Sequence, residues 1–151
     1  TGEIYSIQIF IKNNQQPYLI NSRYDPRELE KISVEDNIKS KILDKKELFI
    51  TMDSKASAVS VLAATEISKI TGNGYLFNIP THGALNANIE GKNITVKTCE
   101  DVSQNIGVIF LKKGAEERIY SNKDCVILEG ESEESLIKVA DRLMLELLNV
   151  I

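Results

Sequence analysis

The chain has 151 residues, 42% hydrophobic and 26% charged, with a formal net charge of −4. That length suits one domain with its own core, and the composition excludes a disordered chain, which needs low hydrophobicity and high charge. Basic residues cluster only as pairs such as Lys45-Lys46 and Lys112-Lys113, so a nucleic-acid surface is not expected. No apolar run approaches the ~18–20 residues that span a bilayer, and no signal-peptide pattern opens the chain. It begins Thr1-Gly2 without a Met, so residues 1–151 read as a single compact α/β domain and a candidate module of a larger protein.

Ile4 to Ile11 is rich in β-branched and aromatic residues and predicts a strand. The polar break Asn13-Asn14-Gln15-Gln16-Pro17 then predicts a turn, with Tyr18 to Tyr24 closing a hairpin. Asp25-Pro26 has the form of a helix start, a carboxylate cap followed by Pro at the first helical position. Ser33 is placed to cap a second helix, with Asp36 three residues on. Ile38 and Ile42 share one face of it. Leu48 to Met52 is a nearly continuous apolar run, as expected of a strand covered on both faces. An Ala-rich helix follows over about Lys55 to Ile70, closed by Thr71-Gly72.

Tyr75 to Ile79 reads as the next strand, ended by Pro80, which makes the segment a parallel βαβ crossover. Ile89, Ile94 and Val96 flank Gly91-Lys92, a hairpin turn by composition. Gly107 to Leu111 predicts a strong strand, Lys112-Lys113-Gly114 a turn, Arg118 to Tyr120 a return and Cys125 to Leu128 a buried strand. Ser132 is positioned to cap the last helix, with Glu133 and Glu134 at its electropositive end. Leu136, Ala140, Leu143 and Leu147 form a stripe, widened by Ile137, Met144 and Leu148, that requires burial. The fold class is therefore α/β: a mixed β-sheet with a parallel βαβ core and helices packed on it.

Chemistry-bearing residues are sparse. Asp53, Ser54 and Ser57 lie at a strand-to-helix turn, where open α/β sheets bind ligands and a helix amino end attracts anions. The plain reading is a capped helix start, since no dinucleotide fingerprint or phosphate loop is present, and no cofactor is expected. His82 is the only histidine. A Ser54–His82 or Cys99–His82 pair would have the form of a nucleophilic site, but no nucleophile elbow surrounds either partner. One His and two Cys do not give zinc-ligand spacing. Glu129, Glu131, Glu133 and Glu134 lack a calcium-loop pattern and read as a solvated helix entry. Cys99 and Cys125 read first as two buried thiols, with a bridge as the alternative. Asn93-Ile94-Thr95 matches the N-glycosylation acceptor pattern.

Two stretches carry a resemblance. Leu48 to Gly72, a strand, a small polar turn and an Ala-rich helix, resembles archaeal S-layer proteins of the methanogen type. A similar pattern occurs in bacterial cell-wall-binding repeats. Cys125 to Gly130, with the helix from Ser132 to Leu148, is similar to such surface-protein modules. The resemblance implies an exported, non-enzymatic envelope module at the cell surface whose partners are other modules or copies of itself. It also implies Asn93 as a glycan site and Cys99–Cys125 as a bridge. The alternatives are a small-ligand-binding or hydrolase-like domain, with its site at Asp53–Ser57 and His82 nearby, and an interaction domain inside the cell.

Overall fold

The computed structural model describes residues 4–10 and 17–151; the expected break at 13–16 and the end of the first strand at Ile11 lie outside them. Strands β1 (Tyr5–Phe10) and β2 (Pro17–Ser22) pair antiparallel as a separate two-stranded sheet. Asp25 caps α1 (Pro26–Leu29) by accepting from the Arg27 N–H, with Pro26 at the first helical position. The chain continues through β3 (Ser33–Val34), α2 (Ile38–Leu43), β4 (Glu47–Met52), α3 (Ala58–Thr71), β5 (Thr81–Leu85), β6 (Ile106–Lys113), β7 (Arg118–Asn122), β8 (Cys125–Gly130) and α4 (Glu133–Leu147).

The main sheet has six strands in the order β3-β7-β8-β6-β4-β5. β5, β4, β6 and β8 run parallel, β7 is antiparallel to β8, and β3 is parallel to β7. The protein is thus α/β, with helices on a mixed sheet. Because side chains alternate along a strand, Leu48, Ile50, Met52, Ile109, Leu111, Val126 and Leu128 share one face. They form a single cluster with Ile38 and Ile42 of α2, Ile67 and Ile70 of α3, and the α4 stripe. Residues 139–145 of α4 are all buried. Burial all round a helix needs cover on every side, which the sheet, α1, α3 and the β1–β2 hairpin supply. The hairpin is tied down by Lys69 Nζ to the Asn21 carbonyl and by Asn73 Nδ2 to the Tyr18 hydroxyl.

The opposite face, with Phe49, Thr51, Val108, Phe110 and Cys125, is covered by no α-helix among the described residues. Segment 86–105 lies against it, irregular except for one 3-10 turn at Cys99–Asp101, which Thr98 caps. Thr51 Oγ1 donates to the Lys97 carbonyl, and the Lys97 ammonium sits 4.7 Å above the Phe49 ring. Cys99 is disulfide-bonded to Cys125, with Cα atoms 5.2 Å apart. The reading of two free buried thiols is therefore corrected: the strand buries Cys125 at the place where the returning segment delivers Cys99.

Several local expectations are also corrected. Ser33 does not cap a helix, because β3 is captured by β7 and the Glu35 N–H donates to the Ile119 carbonyl. α2 starts instead at Asn37, whose φ is 70°. α3 begins three residues late: Asp53 holds its own turn, and Ser57 is the cap. Residues 75–79 form turns gathered on Asn73, whose side chain accepts from the Tyr75 N–H and whose carbonyl accepts from the N–H groups of Leu76 and Asn78. The crossover strand lies beyond Pro80 instead, as β5. Gly91, at φ 80°, makes a turn, but Ile89 and Ile94 lie outside any strand and Val96 forms only an isolated bridge to Leu85.

The passage from β8 into α4 is tight. A Cβ on Gly130 would lie 2.9 Å from the Leu136 N and 3.1 Å from the Ser135 carbonyl carbon, both backbone atoms. Gly130→Ala should push α4 off the strand end and cost about 1–3 kcal/mol, read as a lower urea midpoint. An unchanged midpoint would show that α4 has room there.

Candidate functional site

The carboxyl end of β4 lies where the strand order turns. The chain goes from β4 through α3 to β5 on one side, while β6 lies on the other. Ligands of open α/β sheets bind at such switch points. Asp53 Oδ1 accepts from the Lys55 N–H, Asn86 Oδ1 accepts from the Ser54 N–H, and Ser57 Oγ caps α3 through the Val59 N–H. A cleft of about 440 Å³ opens beside them, lined in part by Asp53, Lys55, Ser60, Lys112, Lys113 and Glu133.

The anion seat at this helix end is already filled. Glu133, the first residue of α4, accepts from the Ser57 N–H at 2.8 Å, the Ser57 hydroxyl at 2.9 Å and the Ser60 hydroxyl at 2.6 Å. The Ser60 hydroxyl, then the Ser57 N–H and hydroxyl, hold its carboxyl below the usual range. Ser57 thus joins one helix to the next, and an external anion would have to displace Glu133. Glu129 is also committed. It is buried on β8 and accepts from the N–H groups of Ala115 and Glu116 and from Arg118 Nε. The expected solvated acidic entry is corrected at Glu129, which is buried and closes a loop; Glu133 stays half-exposed at the helix entry, and its carboxylate also closes the α3 end.

Ser54 and His82 are not brought together. His82 pairs with Phe49, packs tilted against its ring at 5.1 Å between centroids, and places Nε2 2.9 Å from Glu47 Oε2 at the start of β4. Ser54 follows the other end of that strand, and the strand between is roughly 16 Å long at 3.3 Å per residue. Cys99 sits in the disulfide and offers no thiolate to His82. Among the described residues, no group of three or more His, Cys, Asp or Glu side chains converges as a metal site would need. Asn93 is exposed on segment 86–105.

The most perturbed groups carry no sequence motif. Asp141 on α4 is fully buried and Glu66 on α3 nearly so. Asp141 Oδ2 accepts from the Ser22 hydroxyl at 3.2 Å and the Arg23 N–H at 2.9 Å, where the chain leaves the hairpin. Asp141 Oδ1 is buried with no ordinary donor. The Glu66 carboxylate beside it offers no proton, so a hydrogen bond between the two carboxyls needs one of them to keep its own. Burial, the hydrogen bond to Glu66 and the Glu66 charge raise Asp141 to about 8. Burial also raises Glu66, but hydrogen bonds from Asp141 and Lys69 and the charges of Lys69 and Arg23 outweigh it and hold Glu66 low. The two carboxyls titrate as a pair that keeps one proton at neutral pH. A cleft of about 840 Å³ at the hairpin exit includes Glu66, Lys69, Arg23, Tyr5 and Tyr24 in its lining. An acid separated from its partner by 75 positions cannot be paired from sequence periodicity; Glu66 and Asp141 merely stand on otherwise apolar helix faces.

No family model, curated protein or solved structure matches the chain.

Between the unfolded value of 3.8 and about 8, the native protein holds a proton that the unfolded chain releases. Stability should therefore fall as pH rises through that window, by up to about 1.4 kcal/mol per pH unit from this group, and level off above it. Asp141→Asn keeps an acceptor for Ser22 and Arg23 and supplies an N–H to Glu66. It should remove that slope and be more stable than the parent at pH 8, as read by urea unfolding across pH 5–9. Equal slopes in the two proteins would show that Asp141 does not carry the proton.

Proposed function

We propose that this domain is a non-enzymatic structural or interaction module of an exported, cell-envelope assembly, S-layer-like in kind, whose partners are other protein modules or copies of itself. The Cys99–Cys125 disulfide carries the reading, because bridges persist in oxidising compartments and are rare where thiols are kept reduced. The disposition of the polar groups supports it: Ser57, Ser60 and Glu133 are bonded to each other, Ser54 and His82 lie at opposite ends of β4, and Cys99 is oxidised. Among the described residues no helix is long and apolar enough to cross a membrane, so any anchorage of the module would come through its partners or through other chain segments.

Differential alkylation and mass spectrometry of protein from the cells that make it should find Cys99 and Cys125 bridged. Free thiols throughout would contradict export. The bridge closes a loop with a sequence separation of 26, so the double variant Cys99→Ser, Cys125→Ala should lose about 3 kcal/mol of stability. Ser54→Ala and His82→Ala should leave assembly unchanged.

One observation favours a second reading, a small-ligand site: the 440 Å³ cleft carries Lys55, Lys112 and Lys113 near the α3 amino end. That reading predicts thermal stabilisation by small anions, strengthened in Glu133→Gln, which weakens the internal occupant. The module reading predicts none in either protein.

A further inference from the structure

We infer that Asn93 is the acceptor for an N-linked glycan, displayed on the segment that covers the sheet face opposite the helices. The inference rests on the export reading above, since the glycan donor is met only on that route. Asn93-Ile94-Thr95 is the only Asn-x-Ser/Thr triplet in the chain. The triplet alone is a weak signal; its placement adds three conditions that a chance triplet need not meet.

The first is access. Asn93 and Thr95 are exposed, and Ile94 is half-buried between them. The second is that the reacting groups are uncommitted. Among the described residues, neither the Asn93 amide nor the Thr95 hydroxyl makes a hydrogen bond, whereas Asn73 and Asn86 are held by backbone N–H groups of the fold. The third is a backbone that can be drawn into an enzyme cleft. The N–H groups of Asn93, Ile94 and Thr95 make no backbone hydrogen bond, and the one backbone bond to the triplet is accepted by the Thr95 carbonyl at its far end, so turning the Asn93 amide toward the Thr95 hydroxyl breaks no bond of the Asn93 or Ile94 backbone. The flanks are nevertheless anchored. The Lys92 N–H donates to the Ile89 carbonyl, the Lys97 N–H to the Leu85 carbonyl, and the Leu85 N–H to the Thr95 carbonyl. Cys99 then fixes the segment to β8. A short free stretch between fixed ends is a suitable substrate even after the domain has folded.

The chemistry is a group transfer from a lipid-linked oligosaccharide, catalysed by a membrane oligosaccharyltransferase. Asn93 Nδ2 attacks the anomeric carbon of the first sugar. A C–N bond forms as the C–O bond to the lipid phosphate breaks. The phosphate leaves with the bonding electrons, and the amide nitrogen gives up one proton to a base. No oxidation or reduction is involved. The sugar adds about the N-linked bulk expected of a surface loop and keeps this side of the module facing solvent.

The test is peptide mass spectrometry of the Asn93 segment in protein purified from the cells that make it, run with cysteine alkylation on the same sample. Asn93→Gln and Thr95→Ala are expressed in the same cells. The expected result is a sugar mass on most copies of the wild-type peptide, absent from both variants, with both variants folded as judged by circular dichroism. Bare Asn93 on protein whose Cys99 and Cys125 are bridged overturns the glycan while leaving the export reading intact. Bare Asn93 with free thiols overturns both. A modification that persists in Thr95→Ala overturns the triplet as its cause.

Discussion

The structure turns on β8. Its residues, Cys125 to Gly130, are all buried, and it is paired with parallel β6 on one side and antiparallel β7 on the other. Such a strand leaves no polar edge for water and must satisfy every backbone group through its neighbours. What lies at its ends therefore fixes the rest of the molecule. Cys125 holds segment 86–105 at one end. Glu129 gathers the β6–β7 loop near the other, and Gly130 passes the chain to α4 with the backbones nearly touching. A Cβ on Gly114 would also collide with the Glu129 side chain, so the loop and the carboxylate that holds it fit only as a pair.

The carboxylates bonded within the fold share one character. Glu129, Glu133 and the Glu66–Asp141 pair are each placed where a ligand or an exposed ion pair would otherwise be expected, and each is answered from within the chain. Burying a charge is costly unless it is paired and hydrogen-bonded. Glu129 meets that condition with two N–H donors and Arg118; Asp141 meets it by keeping a proton. A catalytic site keeps such groups available for substrate. Here they close helix ends and loops, which supports the proposed reading of a module held by contacts.

Much of the architecture was legible in the sequence because it rests on local periodicity and caps. The apolar run at Leu48–Met52, the stripe from Leu136 to Leu147, and the caps at Asp25 and Ser132 each encode their element within a few residues. The readings that failed are those settled by distant partners. Ser33 is a fair cap by sequence, but the edge of β7 takes its backbone into a sheet. Tyr75 to Ile79 has strand composition, but Asn73 folds it into turns and the crossover pairs beyond Pro80. At the candidate site, Asp53 and Ser57 were legible as a strand-to-helix turn. Its occupant, Glu133, was not, because nothing local links positions 57 and 133. The Cys99–Cys125 pairing stayed ambiguous for the same reason.

Segment 86–105 contributes few apolar side chains to the main core, so its order depends on the bridge, while the strands and helices hold themselves. Native-state hydrogen exchange on the oxidised and reduced proteins separates these two parts. Amides of β6 and β8 should exchange only by global unfolding in both forms, whereas the bonded amides of Leu85 and Lys97 should lose protection on reduction well before that limit. Equal protection of those amides with and without the bridge, or loss of β8 protection along with them, would contradict the division of the fold into a self-sufficient core and a covering segment held by Cys99 and Cys125.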